Sequence, residues 1–397
     1  MSKIGLHIVP GPRTGFGAFL TRLRDANAVS PSSPLVLKMV GDFGPAQEAK
    51  TLLGADRVLA IGRKSGEGWE GLDVHASGGT PPRDVAALHF QQVYKPIIDL
   101  NPAIDVWEPC NEWSAHWSWQ ADFYIELMPL FEALGKRMGM FAFSTGNPPL
   151  EASTAIARAC AAAKQRNAGH LLTSHEYGGV GVSIPTLRDT QPFHALRYHA
   201  LYQVLREQGA IIPLVISEAG QNGGFQFIGT DALVEDFAWY DTELFKNSYV
   251  IGCASWTLGK WNDGASNVQS ALPALADYMI AHPTPAPPVD EPLPEPCRGT
   301  PRTPYKRRYI VIHPAIANRE QYYAIAGLRQ HTVGPSADDA GIGDLDMREV
   351  IVVQPDLWAS DTAMREFYEQ NYPGVIYHGV NAMTPSELDT WIRAHPL

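Results

Sequence analysis

Over residues 1–282, short apolar runs alternate with segments in which apolar residues recur at helical spacing. The runs are apolar on both faces, which is typical of parallel strands covered by helices. Eight runs predict strands over Ile4–Val9, Leu35–Val40, Val58–Ile61, Asp105–Pro109, Phe141–Ser144, Leu171–Ser174, Leu214–Ser217 and Ile251–Trp256. The other segments predict helices over Phe16–Ala26, Val85–Leu100, Trp119–Arg137, Ala152–Lys164, Phe193–Gln208, Ala232–Phe245 and 266–281. Eight βα units in a domain of this length predict an α/β fold, a (β/α)8 or TIM barrel.

A doubly wound open sheet is the alternative fold for such a pattern. It usually has fewer strands, and a glycine-rich turn with the spacing GxGxxG follows its first strand. Here the turn after the first strand reads PGPRTGFG over residues 10–17, which lacks that spacing. The barrel is therefore the favoured fold.

Proline marks the boundary of this first domain. Residues 283–304 hold nine prolines in 22 positions, a composition that favours an extended polyproline II spacer. After it, the pattern predicts a βαβαβα module over residues 305–397, which would form an open parallel sheet. Its strands are predicted over Tyr309–His313, Val350–Val353 and Val375–His378, and its helices over Arg319–Gln330, Thr362–Asn371 and Pro385–Ala394. The acidic loop at residues 336–344 carries no catalytic motif that we recognise, and the role of the module stays open.

Composition narrows the classes of function. The 397 residues hold 31 Lys and Arg against 42 Asp and Glu, a net charge of −11 that disfavours nucleic-acid binding. The chain has only four cysteines, and they are widely separated, which argues against a fold based on disulfides. We expect no membrane span, because no apolar run reaches the length that one needs. The N-terminus shows no signal peptide, which predicts either a cytoplasmic protein or prior removal of a signal.

Candidate chemistry follows from the rule that a barrel carries its functional residues at the carboxyl ends of its strands. Glu112 lies at the end of strand 4 and Glu218 at the end of strand 7. Two such carboxylates can face each other across the barrel mouth, as glycoside hydrolysis requires. The apolar ring of Trp113 would favour the protonated form of Glu112, so that Glu112 can act as an acid.

Further polar and aromatic residues at strand ends are candidates for binding the substrate. Donors beside the second glutamate would keep it ionised, and tryptophans offer a flat apolar face on which a sugar ring can stack. Trp256 is the strongest stacking candidate, because it ends the last strand beside Glu218. The predicted substrate-binding set is Asn111, Trp113, His175, Tyr177, Trp256, Lys38, His7 and Trp261.

In their order along the chain, these residues resemble glycoside hydrolase clan A over about residues 1–281. Asn111-Glu112 resembles the clan's strand-4 acid/base motif, and Glu218 in the segment VISEAG resembles its strand-7 nucleophile. The segment His175-Glu176-Tyr177 resembles the clan's His-x-Tyr segment, and Trp256 matches its strand-8 tryptophan. The chain departs from the clan's pattern at Lys38, where many members have arginine, and at Trp113, where many have proline. The resemblance implies a retaining hydrolase that cleaves β-glycosidic bonds of an oligo- or polysaccharide through two glutamates.

Two other classes stay open at this stage. A metal-dependent hydrolase would need paired ligands, but the chain holds neither HExxH nor an HxH pair on strand 1, so we expect no metal and no cofactor. A non-catalytic barrel could bind a glycan as an adaptor, although glutamates at both positions favour an enzyme. The expected partner is a carbohydrate; the sugar, exo or endo action and the oligomeric state are not indicated.

Overall fold

The computed structural model describes residues 2–64, 70–178, 186–191, 194–221, 229–260, 267–282, 306–328, 332–334, 347–371 and 375–395. The chain divides into two compact units, Met1–Pro292 and Leu293–Leu397. The predicted linker at 283–304 and the acidic loop at 336–344 lie outside the described residues. The predicted domain limits therefore stay predictions. No helix of the described chain is both long and apolar enough to cross a membrane.

The first unit is a closed barrel in which each strand pairs in parallel with the next and the eighth returns to the first. Its strands are β1 (Ile4–Ile8), β2 (Leu35–Val40), β3 (Val58–Arg63), β4 (Val106–Trp107), β5 (Arg137–Phe143), β6 (Leu171–Gly178), β7 (Leu214–Gln221) and β8 (Val250–Leu258). The predicted TIM barrel is thus confirmed.

Helices lie between these strands and after the last one. They are α1 (Phe16–Asp25), α2 (Gly44–Leu53), α3 (Glu70–Ser77), α4 (Pro82–His89), α5 (Lys95–Leu100), α6 (Trp117–Glu132), α7 (Ser153–Arg166), α8 (Tyr198–Glu207), α9 (Gly229–Phe245) and α10 (Leu272–Ala281). A π-helical turn over Phe90–Tyr94 joins α4 to α5, so the predicted helix Val85–Leu100 is one nearly continuous segment. The sequence pattern missed α2, whose ten residues cover β2 and β3.

The inside of the barrel changes character from one end to the other. Its lower part is a small apolar cluster made of Val36, Leu59, Ile61, Val106, Leu171, Val215 and Ala254. Because side chains alternate along a strand, the next inward positions toward the carboxyl ends are Lys38, Arg63, Glu108, Thr173 and His175. These residues are all buried. We call these residues, together with His7 of β1, the polar layer. The interior of the barrel is therefore apolar in its lower part and polar toward the carboxyl ends of the strands.

The second unit contains four parallel strands in the order β10-β9-β11-β12. The strands are β9 (Lys306–Ile312), β10 (Thr332–Gly334), β11 (Met347–Val353) and β12 (Val375–Val380). The helices are α11 (Arg319–Leu328), α12 (Asp361–Asn371) and α13 (Pro385–Ala394). This confirms a small α/β module with an open parallel sheet. It adds one strand to the predicted three, because the three-residue β10 is too short to show a pattern in sequence.

Candidate active site

A bulge in β7 sets the direction of Glu218. Ser174 of β6 pairs with Ile216, whereas the next residue, His175, pairs with Glu218, so Ser217 is an extra residue on β7. A bulge of this kind redirects the side chains that follow it. Here it places Glu218 beside His175, with only 4 % of its surface exposed.

Glu218 is surrounded by groups that favour a negative charge. Its Oε2 accepts a 2.7 Å hydrogen bond from the Tyr177 hydroxyl. Its Oε1 lies 3.1 Å from Arg63 Nη1, 3.5 Å from His7 Nε2 and 3.6 Å from His175 Nε2. Burial alone would raise the pKa of Glu218, but His175, Arg63 and His7 outweigh it and hold that pKa well below its usual value. Glu218 is therefore a carboxylate at neutral pH.

Glu112 occupies a different environment. Its backbone lies in the left-handed region at φ 52°, and its N–H donates to the Ala142 carbonyl. That conformation is uncommon for a residue other than glycine, and it occurs often at functional sites. The Glu112 side chain is 37 % exposed. A proton can therefore pass between Glu112 and solvent, which burial would hinder at Glu218.

One imidazole lies between the two glutamates. His175 Nδ1 and Glu112 Oε1 form a 2.7 Å hydrogen bond, while Nε2 of the same ring faces Glu218 Oε1. One carboxylate oxygen of each glutamate and a ring nitrogen of His175 lie within 4.8 Å of one another. The two carboxylates expected from the ends of β4 and β7 are thus close together.

Aromatic rings border the same carboxylates. The Trp256 ring lies 4.3 Å from the His7 ring and 5.9 Å from the Tyr177 ring, measured between centroids. Trp256 is partly exposed and joins Thr257 through a cis peptide bond. His7 Nδ1 and the Thr257 hydroxyl form a 2.7 Å hydrogen bond, and burial lowers the pKa of His7 to about 4. His7 is therefore a neutral side chain beside Glu218.

Three other predicted contacts are buried or lie outside the described residues. Trp113 is 2 % exposed and packs on His116 and Trp119, with its indole N–H donating to Asp73. This placement supports the loop after β4 and leaves little ring surface for a sugar. The Lys38 side chain has no exposed surface. Trp261 lies outside the described residues.

Asn111 is half-buried next to Glu112. Its buried Oδ1 has no hydrogen-bond partner within the described residues. An amide oxygen with a free lone pair beside the two carboxylates can accept a hydroxyl donor of a substrate. This placement fits the predicted binding role of Asn111.

The sequence reasoning missed two charged members of the site. Arg63 ends β3, where the predicted strand stopped two residues earlier, and so it was assigned to a loop. Its guanidinium lies 3.1 Å from Glu218 Oε1. Glu108 follows β4 immediately and contacts Lys38. Its signal in the sequence was a glutamate within the predicted strand Asp105–Pro109, directly after the apolar pair Val106 and Trp107.

The same donor set can be compared with metal sites. Glu112, His175 and Glu218 could offer one ligand atom each to a cation. However, the Arg63 guanidinium lies 3.1 Å from the Glu218 oxygen that would bind it. A positive neighbour at that distance opposes a cation there. The arrangement fits a pair of reacting carboxylates better than a metal centre.

Comparison with known proteins gives little guidance. No family model matches the chain, and a search of curated proteins found no match. Among solved structures, a β-glucuronidase of an uncultured Clostridium species aligns with 70 % of this chain and 50 % of its own, at 10 % identity and a TM-score of 0.41. The chain therefore spans half the length of that enzyme.

Two further solved structures are similar to the barrel to a lesser degree. A truncated 3-deoxy-D-arabino-heptulosonate 7-phosphate synthase from Thermotoga maritima aligns with 70 % of this chain and 84 % of its own, at 9 % identity and a TM-score of 0.35. A candidate β-galactosidase from Bacteroides fragilis aligns with 65 % of this chain and 36 % of its own, at 12 % identity and a TM-score of 0.33. Likenesses of this size say nothing about substrate or mechanism.

Proposed function

We propose that the barrel is a retaining glycoside hydrolase that cleaves β-glycosidic bonds of an oligo- or polysaccharide. The observation that carries this proposal is the pair Glu112 and Glu218, with oxygens within 4.8 Å across the His175 ring. Retaining enzymes place their two carboxyl groups about 5–5.5 Å apart, whereas inverting enzymes separate them by roughly 6.5–9.5 Å to admit a water. The short separation favours the retaining mechanism.

The first step forms a glycosyl ester. Glu218 Oε1, the oxygen that faces Arg63, His7 and His175, attacks the anomeric carbon. The bond from that carbon to the leaving oxygen breaks, and Glu112 gives its proton to that oxygen. Charge is conserved, since one carboxylate becomes an ester while the acid becomes a carboxylate.

The second step reverses these roles. Glu112, now a carboxylate, removes a proton from a water that attacks the anomeric carbon, and the bond to Glu218 breaks. The sugar leaves with its original anomeric configuration, and both glutamates return to their starting state. The unequal surroundings of the two groups support this division: the buried one stays ionised, and the half-exposed one exchanges protons.

Trp256 and Asn111 are the proposed contacts for the sugar that is cleaved. An indole offers a flat apolar face to the CH groups of a pyranose ring. Asn111 Oδ1 can accept a hydroxyl of the same ring. Trp256→Ala should raise KM more than it lowers kcat.

The test is a panel of aryl β-glycosides and β-linked polysaccharides, assayed with the full chain. Glu218→Ala should abolish turnover, and added azide should restore release of the aryl group with formation of a glycosyl azide. Glu112→Gln should slow substrates with poor leaving groups far more than activated aryl ones, since only the former need the acid. Glu126→Gln, at an exposed position of α6, is the matched control and should leave turnover unchanged.

Two outcomes would overturn the proposal. Full turnover in Glu218→Ala without azide would exclude Glu218 as the nucleophile, and an inverted product would exclude the retaining route. A metal-assisted hydrolase is the second candidate, because Glu112, His175 and Glu218 offer three donor atoms close together. Loss of turnover after chelation, recovered by one added divalent cation, would favour that candidate instead.

A further inference from the structure

The polar layer holds a second pair of opposite charges that the proposed reaction does not use. Lys38 of β2 and Glu108, directly after β4, are in contact through Nζ and Oε2, and neither side chain has any exposed surface. The second oxygen of this carboxylate, Glu108 Oε1, has no hydrogen-bond partner among the described residues. A pair buried this deeply gains little net stability, because desolvation offsets the attraction. Its presence below the candidate active site therefore needs another explanation.

The sheet is shaped to let Glu108 reach Lys38. A Cβ atom built on Gly139, the neighbour in β5, would lie 3.1 Å from Glu108 Cγ and 2.8 Å from Thr173 Cγ2. An alanine at position 139 would require the Glu108 and Thr173 side chains to shift. The backbone carbonyl of Glu108 is also fixed, since it accepts a hydrogen bond from the buried Tyr94 hydroxyl.

Lys38 also lies within electrostatic reach of the two reacting carboxylates. Burial lowers the pKa of Lys38, as does the charge of Arg63, while the charges of Glu218 and Glu112 act in the opposite direction. Lys38 pairs in register with His7, and His7 Nε2 lies 3.5 Å from Glu218 Oε1, so an ammonium released by Glu108 can turn toward Glu218. A direct bond to Glu218 Oε1 would occupy the lone pair that attacks the anomeric carbon.

We infer that Glu108 is a positioning residue: it holds the Lys38 ammonium on the β4 side of the barrel and so keeps a second cation, in addition to Arg63, away from Glu218 Oε1. The inference rests on the proposed function. Glu108 acts through Lys38 and does not itself touch the substrate. The other charged or titratable groups facing this layer are His7, Arg63, Glu112 and His175.

A double-mutant cycle tests this role. Glu108→Gln removes the counterion of Lys38, and the ammonium should then turn to Glu218; we expect kcat/KM to fall roughly ten- to a hundredfold, with the acid limb of its pH profile at lower pH. Lys38→Met leaves the Glu108 carboxylate without its partner. The acid limb of the kcat/KM profile of this variant should therefore move to higher pH. The double variant removes both charges and should recover most of the activity and the wild-type profile.

A purely structural pair would behave differently. Single variants that lose stability but keep kcat/KM per folded molecule and an unshifted pH profile would overturn the inference. So would a double variant whose loss is the sum of the two single losses. The matched control is Lys50→Met with Asp105→Asn, a 2.6 Å ion pair outside the polar layer, whose removal should leave the pH profile unchanged.

A measurement that does not depend on catalysis separates this inference from the proposed function. Carboxyl-carbon NMR of the full chain labelled at glutamate, with Glu218→Gln used for assignment, follows the titration of Glu218 directly. Its midpoint should move down in Glu108→Gln, up in Lys38→Met and back in the double variant. If no glycoside is cleaved, the proposed hydrolase fails, and an unmoved Glu218 midpoint in both single variants overturns the positioning role as well.

Discussion

The most direct physical test concerns Glu176, a buried carboxyl of β6 that lies between His175 and Tyr177 in sequence. Its Oε2 accepts the Leu196 N–H at 2.7 Å and the Tyr240 hydroxyl at 2.5 Å. These bonds connect β6 to the start of α8 and to α9. Burial raises the pKa of Glu176 from 4.5 to about 7, although its hydrogen-bond donors act against that rise.

This pKa has a defined consequence for stability. The folded chain keeps a proton on Glu176 that the unfolded chain releases, so the free energy of unfolding falls as pH rises from about 4.5 to about 7. Each unit of pKa shift corresponds to about 1.4 kcal/mol. The rise in the pKa of Glu176 therefore lowers the free energy of unfolding by about 3 kcal/mol between pH 4.5 and 7. His7 has the opposite effect. Its pKa is about 4 in the folded chain and 6.5 in the unfolded chain, so its contribution to the free energy of unfolding increases as pH rises from 4 to 6.5. The wild-type curve can therefore look flat.

Comparison with a variant separates the two contributions. Glu176→Gln keeps an oxygen for the Leu196 N–H and cannot titrate. The unfolding free energy of wild type minus that of Glu176→Gln should fall by about 3 kcal/mol between pH 4.5 and 7 and stay constant above it. Urea unfolding followed by circular dichroism at half-unit pH steps measures this difference. Glu126→Gln, at an exposed position of α6, is the control and should run parallel to wild type. A Glu176→Gln curve parallel to wild type across the window would refute the reasoning.

Three further substitutions have expected outcomes. Tyr177→Phe removes the 2.7 Å hydrogen bond to Glu218, and kcat/KM for a cleaved glycoside should fall roughly ten- to a hundredfold; a change below about twofold would contradict its role. Gly5→Ala would place a Cβ 1.9 Å from the Val36 carbonyl oxygen, and should lower the unfolding free energy by roughly 3 kcal/mol or prevent folding, as urea unfolding would show. Thr384→Ala removes the cap at the start of α13 and should cost the second unit about 1 kcal/mol, whereas Thr384→Ser should cost little.

The barrel was predictable because its strands carry an unambiguous pattern. Runs such as Leu35–Val40 are apolar at every position except Lys38, and the predicted limits of β2 match the structure. Elements without such a pattern were missed or misplaced. Helix α2 was missed although its buried face is made of Pro45, Ala46, Ala49 and Leu53, because small residues give a weak signal.

The site was predictable only where chemistry follows a strand directly. Glu112, His175, Tyr177 and Glu218 were predicted to lie together because polar residues that end apolar runs meet at one edge of a barrel, and the structure places them in contact. The bulge at Ser217 could not be foreseen, since pairing register depends on the neighbouring strand rather than on β7 itself. The contact between Lys38 and Glu108 was also missed. Lys38 lies on β2 and Glu108 follows β4, and these two strands are not neighbours in the barrel.

The charges of the polar layer also bear on the second step of the proposed reaction. Before reaction, the buried side chains of Lys38 and Arg63 lie against the buried carboxyl groups of Glu108 and Glu218, while His7 is neutral. Formation of the glycosyl ester moves one negative charge from buried Glu218 to half-exposed Glu112, and so leaves the Arg63 guanidinium without its buried partner. Hydrolysis of the ester restores the carboxylate and with it the balance. Because unbalanced charge is costly at low dielectric, this layer should favour breakdown of the intermediate over its accumulation.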